Sequence, residues 1–203
     1  MVNFYRPAVG IIYFCQFFLL LYFYKKTKDG KILHDTVKET PLLVICRSVW
    51  AAAVICSITL YLIFPALFAW ADLDLLNGIR TFGILIGIGA NLLILWILVS
   101  LGTNISAALK VRDNQHLVTT GTYKYIRHPL YTAGLFLFCS ITLTSANWFL
   151  GFLGIGFQLF IMCLRTPLEE EMLIEHFGDE YRQYIKRTGA FFPKLLVNRR
   201  NIP

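Results

Sequence analysis

The sequence predicts an all-α polytopic membrane protein: five transmembrane helices, the last two forming a helical hairpin, and then a cytoplasmic helical tail. Three observations predict it. Of the 203 residues, 57% are hydrophobic and 15% charged, against roughly 25% charged in an ordinary soluble domain. A body of this size buries too small a share of its surface to hide that excess, and the same excess excludes disorder. The apolar residues gather into runs that suit a membrane core, which takes about 20 residues at ~1.5 Å each. The basic residues fall in alternate loops, as the positive-inside rule requires.

The elements follow in order. Residues 8–24 form a slightly short first span. Residues 42–70 form a second that is longer than needed, with Pro65 placed to kink or end it. The third, 79–101, carries Gly83-x-x-x-Gly87, a spacing that lets helices approach closely. The last apolar stretch, 130–164, is too long for one helix, and Thr144-Ser145-Ala146-Asn147 interrupts it. It reads as a hairpin of 130–143 and 148–164. In the tail, Glu169, Glu170 and Glu171 follow Pro167 as the first turn of a new helix. Gly178 stops that helix and Asp179 caps another through Tyr184.

Charge tests the count of spans. Segments 25–40 and 102–129 and the tail from Arg165 hold 16 of the 19 Lys and Arg residues, and five spans put all three segments on one side. That side is then cytoplasmic, and the N-terminus lies outside. The net charge of +7 reads as basic loops facing an anionic leaflet. No basic stripe alternates with stacking aromatics, so nucleic acid is not a partner. The first apolar run is followed by lysines and not by a small-residue cleavage site, so it reads as a span and not as a cleaved leader. Cys15, Cys46, Cys56, Cys139 and Cys163 all lie in apolar runs without a C-x-x-C pair. They read as small packing residues and not as a disulfide or zinc framework. His34 and His176 show no metal spacing.

Two clusters carry candidate chemistry. The first is Gly121-Thr122-Tyr123-Lys124-Tyr125-Ile126-Arg127-His128-Pro129-Leu130-Tyr131. Pro129 keeps His128 out of the helix and starts the next span, whose free N–H groups can hold an anion. The same residues also suit an interfacial anchor. The second is Arg165-Thr166-Pro167-Leu168-Glu169-Glu170-Glu171, which also suits a solvated helix start. The two clusters bracket one hairpin. Folding it brings Tyr131 near Arg165 and His128 near Glu169.

The stretch 101–193 resembles the isoprenylcysteine carboxyl methyltransferases, and more widely the membrane methyltransferases that include phospholipid N-methyltransferases. The matching features are His116-Leu117-Val118 with Gly121-x-Tyr123, Arg127-His128-Pro129-x-Tyr131-x-x-Gly134, Arg165-x-x-x-Glu169-Glu170, and Phe177-Gly178-Asp179-Glu180-Tyr181 ending in Phe192-Pro193. The chain is similar to the short, prokaryotic-type members. It departs from the family pattern at Ala133, which stands where the glycine is usual, with Gly134 next. The resemblance divides the chain into a three-span region, 1–101, and a cofactor-binding methyltransferase region, 102–203.

The resemblance implies an integral membrane enzyme that uses S-adenosyl-L-methionine. Gln115, His116, Leu117 and Val118 would line the adenosine end of the cofactor, and Tyr123 would touch it. His128, Pro129, Leu130 and Tyr131 would hold its amino-acid end, and Glu169 would bind it from the tail with Glu170 adjacent. Arg165 would face the methyl acceptor, a prenylcysteine-like lipid entering from the bilayer. A carboxylate acceptor, with a pKa of about 3.5, is already ionised at neutral pH and needs alignment, not a base. The host membrane would be the cell membrane of a prokaryote or the endoplasmic reticulum of a eukaryote. Three alternatives stay open. A phospholipid amine acceptor would need Glu170, Glu171 or Tyr131 as base, and Arg165 tilts the reading away from it. Sterol reductases, which use a nicotinamide cofactor, share a similar C-terminal motif but are longer. The third is a scaffold or transporter, for which Arg47 is the one charge well inside a span.

Overall fold

The computed structural model describes residues 4–26, 32–34, 40–101, 111–112 and 116–194. In order these are α1 (Tyr5–Lys26), β1 (Ile32–His34), α2 (Pro41–Ile63), a 3-10 helix (Pro65–Ala71), α3 (Asn77–Leu101), β2 (Val111–Arg112), a 3-10 turn (Gly121–Lys124), α4 (Pro129–Ser145), α5 (Trp148–Phe177) and α6 (Asp179–Arg187). The chain is thus nearly all helical. The exception to the all-α expectation is β1, which pairs antiparallel with β2 and puts Ile32 opposite Arg112. That pair joins the two basic loops expected to share one side.

Among the described residues four helices, α1, α2, α3 and α5, are long and apolar enough to cross a membrane, and α4 is a shorter apolar helix. Its 17 residues reach the lower bound of a spanning helix. The protein is a multi-pass membrane protein. Pro65 ends α2 outright, because a 3-10 helix begins there.

The packing of α3 on α4 positions the site. A Cβ added at Gly83 would lie 2.8 Å from both Leu143 Cβ and Thr144 Oγ1, and one at Gly87 would strike Ser140 and Ile12. Glycine is what allows these backbones to meet. The contact is then tied by polar groups: Ser140 Oγ donates to Gly83 O at 2.7 Å, and Asn91 Nδ2 donates to Ile12 O of α1 at 3.2 Å. On the other side, Trp50 Nε1 of α2 donates to Leu153 O of α5 at 3.1 Å.

The interrupted apolar stretch is the expected hairpin. Ala146 takes a left-handed conformation (φ 54°) and Asn147 caps α5, accepting from Leu150 N at 3.2 Å. Asn147 Nδ2 also donates to Phe68 O and Asp72 Oδ1. It therefore holds the α4–α5 turn to the α2–α3 connection.

Two expectations are corrected. Pro167 does not open a new helix: α5 runs unbroken for 30 residues through it, a length of ~45 Å. A proline inside a helix forfeits an i→i−4 hydrogen bond, and here the Arg165–Glu169 ion pair (Nε to Oε1, 3.0 Å) clamps the turn that contains it. The glutamates therefore stand mid-helix, where helix phase sets their direction. Four of the five cysteines, in turn, are not interior packing residues. Cys15, Cys46, Cys56 and Cys163 are free and on the outer surface, and Cys139 is half-buried.

Candidate active site

The site forms where the N-terminus of α4, the polar end of α5 and the tail after α6 converge. Pro129 excludes His128 from helical geometry, so residues 126–128 enter α4 outside the helix and offer their backbone for pairing. The tail takes the offer. Arg127 N donates to Gly189 O and His128 N to Ala190 O, each at 2.9 Å, and Ile126 forms a parallel bridge with Gly189. A Cβ at Gly189 would strike the Phe192 carbonyl. Thr132 Oγ1 donates to Phe191 O at 2.6 Å. The segment after α6 is therefore strapped across the start of α4.

Upstream, Gly121 adopts φ 59°, and a Cβ there would collide with Ser100 Oγ at the end of α3. Left-handed backbone without a Cβ is what glycine supplies. The turn that follows is fixed from α6, because Tyr184 Oη donates to Tyr123 O at 2.6 Å. Burial pushes the Tyr184 phenol up to about 12, so it stays protonated and able to donate.

Two carboxylates organise the centre. Glu169 Oε1 accepts from Tyr131 Oη at 2.6 Å and from Arg165 Nε at 3.0 Å. Glu170 Oε1 accepts from Arg127 Nε at 2.9 Å and lies 2.8 Å from Arg127 Nη2. The His128 ring stands between them, with Nδ1 3.4 Å from Glu169 Oε2 and Nε2 3.1 Å from Glu170 Oε1. Arg127 also reaches the carbonyls of Ile185 and Thr188 at the end of α6. The His128 residue is 7% exposed, and burial alone would lower its pKa. Its hydrogen bonds and charge contacts with Glu169 and Glu170 outweigh burial and raise it. The ring stacks on Tyr131, with centroids 5.8 Å apart.

Of the expected site residues, the structure brings together His128, Tyr131, Arg165, Glu169 and Glu170. Pro129 is fully buried beside them. Leu130 turns to the bundle's outer face. Tyr123 packs against the cluster of Phe23, Ile94, Ile97, Leu98 and Ala133, and burial raises its pKa. His116 is exposed and Leu117 and Val118 are half-buried, all in extended chain before the 3-10 turn. Gln115 lies outside the described residues. Sequence reasoning missed Arg127 as the partner of Glu170. Its place beside His128 was visible, but its other acceptors are backbone carbonyls of the tail, which no side-chain pattern announces. The displaced glycine also finds a reason. Gly134 faces Gln158 of α5, whose Oε1 would lie 2.7 Å from an added Cβ, and Gln158 Nε2 donates to Tyr131 O at 3.0 Å.

The fold and the site together define a multi-pass membrane protein with a buried carboxylate–imidazole–guanidinium cluster at the mouth of one helix. Comparison with known proteins gives the family. The phospholipid methyltransferase model matches residues 79–180, just over half the chain, and the chain belongs to that family. Among curated relatives, it is 35% identical over 86 residues to the protein-S-isoprenylcysteine O-methyltransferase of Schizosaccharomyces pombe, covering 41% of this chain and 36% of that protein. It is 35% identical over 71 residues to methanethiol S-methyltransferase 1 of Bradyrhizobium diazoefficiens, covering 35% of this chain and 24% of that protein. The aligned stretch is well under half the length of these relatives. Among solved structures, it resembles a eukaryotic intramembrane Ras methyltransferase (isoprenylcysteine carboxyl methyltransferase) with a TM-score of 0.54 and 20% identity, covering 78% of this chain and 55% of that one. That likeness shows the fold.

Proposed function

We propose that this protein is a membrane methyltransferase that uses S-adenosyl-L-methionine to esterify the carboxylate of a prenylated cysteine or a similar lipid-linked acid. The observation that carries the reading is the convergence of Glu169, Glu170, His128, Tyr131 and Arg165 at the mouth of the α4–α5 hairpin. The donor set fits the cofactor. Its ammonium calls for a carboxylate, and Glu169 holds one among three donors; its own carboxylate calls for a cation or N–H groups, and His128 stands at the start of α4. When bound, the cofactor supplies a methyl group activated on a sulfonium.

The chain's own residues then have three tasks. Glu169 and His128 orient the cofactor, while Pro129 and Tyr131 form the wall around them. Glu170, neutralised by Arg127, keeps His128 in place. Arg165, a planar fork on the bilayer side of Glu169, suits an acceptor carboxylate. That acceptor needs no base, only alignment and exclusion of water, and its lipid tail stays among the apolar helices. His116, Leu117, Val118 and Gln115 complete the adenosine end, and Tyr123 supports it. In this reading 1–101 is the supporting region and 102–203 the cofactor-binding region. The N-terminus lies outside and the tail is cytoplasmic.

The test uses purified protein and methyl-labelled S-adenosylmethionine with either a farnesylated cysteine derivative or phosphatidylethanolamine. Label released by alkali as methanol from the cysteine compound supports carboxyl methylation. Alkali-resistant label on the phospholipid overturns it in favour of N-methylation. Absence of any cofactor binding ends the methyltransferase reading.

A further inference from the structure

The inward face of α5 carries a polar atom that the fold leaves unsatisfied. Thr166 is 7% exposed, and its Oγ1 is closed to solvent without a hydrogen-bond partner among the described residues. An unpaired buried hydroxyl is costly. A helical threonine has a ready remedy in the carbonyl one turn back, and Thr142 takes it, donating to Phe138 O at 2.7 Å. Thr166 does not. Asn91, Thr122 and Thr144 also bury an unpartnered polar atom, but none of them lies on α5.

The position of Thr166 sets which groups the hydroxyl stands beside. It stands three residues before Glu169 and four before Glu170 on one continuous helix. With 3.6 residues per turn, its side chain falls on the face between the two carboxylates, about one turn (~5.4 Å) nearer the bilayer. Arg165 is its neighbour. A lipid-linked head approaching from the membrane reaches this level before it reaches the glutamates.

We propose that Thr166 Oγ–H binds the carboxylate of the methyl acceptor, donating one hydrogen bond while the Arg165 guanidinium takes the other side. The inference rests on the carboxyl-methylation reading and adds the residue that recognises the acceptor. A hydroxyl and a guanidinium can each donate to a carboxylate, which accepts on both oxygens. A protonated amine could use the hydroxyl only as an acceptor, and the Arg165 cation beside it repels that charge.

The test compares wild type, Thr166→Val, which keeps the shape and removes the hydroxyl, and Thr166→Ser, which restores it. Each is assayed for the KM of a farnesylated cysteine derivative, the affinity for S-adenosylmethionine and the melting temperature in detergent. The expected result is a roughly tenfold rise in acceptor KM for Thr166→Val, with cofactor affinity unchanged and melting temperature equal or higher, because an unsatisfied group has been removed. Thr166→Ser should return the acceptor KM toward wild type. A wild-type acceptor KM in Thr166→Val, or an equal loss of cofactor affinity, overturns the inference while leaving the carboxyl-methylation reading in place. A wild-type protein that forms no alkali-labile product from the cysteine compound overturns both.

Discussion

Glu169 and Glu170 are adjacent in the chain, yet a helix turns neighbouring side chains about 100° apart, and each carboxylate meets different partners. Glu169 holds Tyr131 and Arg165, Glu170 holds Arg127, and His128 touches both. Replacing Glu169 with Gln should weaken cofactor binding roughly ten- to hundredfold, the worth of a charge-assisted hydrogen bond at about 1.5–3 kcal/mol. Calorimetric binding of S-adenosylmethionine checks this. Arg165→Ala should raise the acceptor KM and change cofactor affinity less than Glu169→Gln does. A larger change in cofactor affinity would reassign Arg165 to the cofactor. His128 gives a pH signature. Its pKa is raised in the fold by the two carboxylates, against burial, so its protonated form stabilises the native state. That contribution is complete below the unfolded value of about 6.5 and is lost as pH rises through the folded one. The melting temperature of wild type should therefore fall above about pH 6.5, and the fall should be shallower in His128→Gln. Arg127, Arg165 and Tyr131 face the same carboxylates and keep the cluster from flying apart when His128 loses its proton.

At the scale of elements, the α3–α4 seam and the α4–α5 turn bring the site's backbone into register. Gly83→Leu should destabilise by about 1–3 kcal/mol or more, since it forces a packed interface apart. Gly89→Leu on the same helix should be tolerated, because nothing lies within 4 Å of its added Cβ. Thermal unfolding of the two variants in detergent separates them. Asn147→Ala should cost about 1–2 kcal/mol from the lost cap alone. The elements were largely legible in the sequence. Hydropathy placed the spans, Pro65 ended α2, and Thr144-Ser145-Ala146-Asn147 made the turn. The continuation of α5 past Pro167 was not legible, because it depends on whether one forfeited hydrogen bond outweighs a clamp formed only once the helix exists. The hairpin made legible that His128 falls near Glu169 and Tyr131 near Arg165, but not that Tyr131 donates to Glu169 itself. The roles of Arg127 and Gly189 were not, because their partners include backbone groups far away in the chain.

On the scale of the molecule, the two ends of the bundle differ. One end holds the carboxylate cluster and the β1–β2 pair. The other is closed by Asn147 on Asp72, by Arg80 donating to Thr144 O at 3.2 Å and lying 4.0 Å over the Tyr5 ring, and by Trp70 against Trp148. The basic residues concentrate at the cluster's end, so that end should be cytoplasmic. In a cysteine-free background, Lys194→Cys should be shielded from an impermeant thiol reagent in intact cells, and Asp74→Cys should react. The reverse pattern would invert the topology. The strap across the start of α4 has a consequence for biogenesis. Ile126 and His128 take their backbone partners from Gly189 and Ala190, which follow every membrane helix in the chain and so are made after all of them. Insertion and competence are therefore separate events in the life of the chain. A nascent protein can sit in the membrane with the start of α4 still unstrapped, and a stop codon just after α6 should leave an inserted protein that fails to bind S-adenosylmethionine.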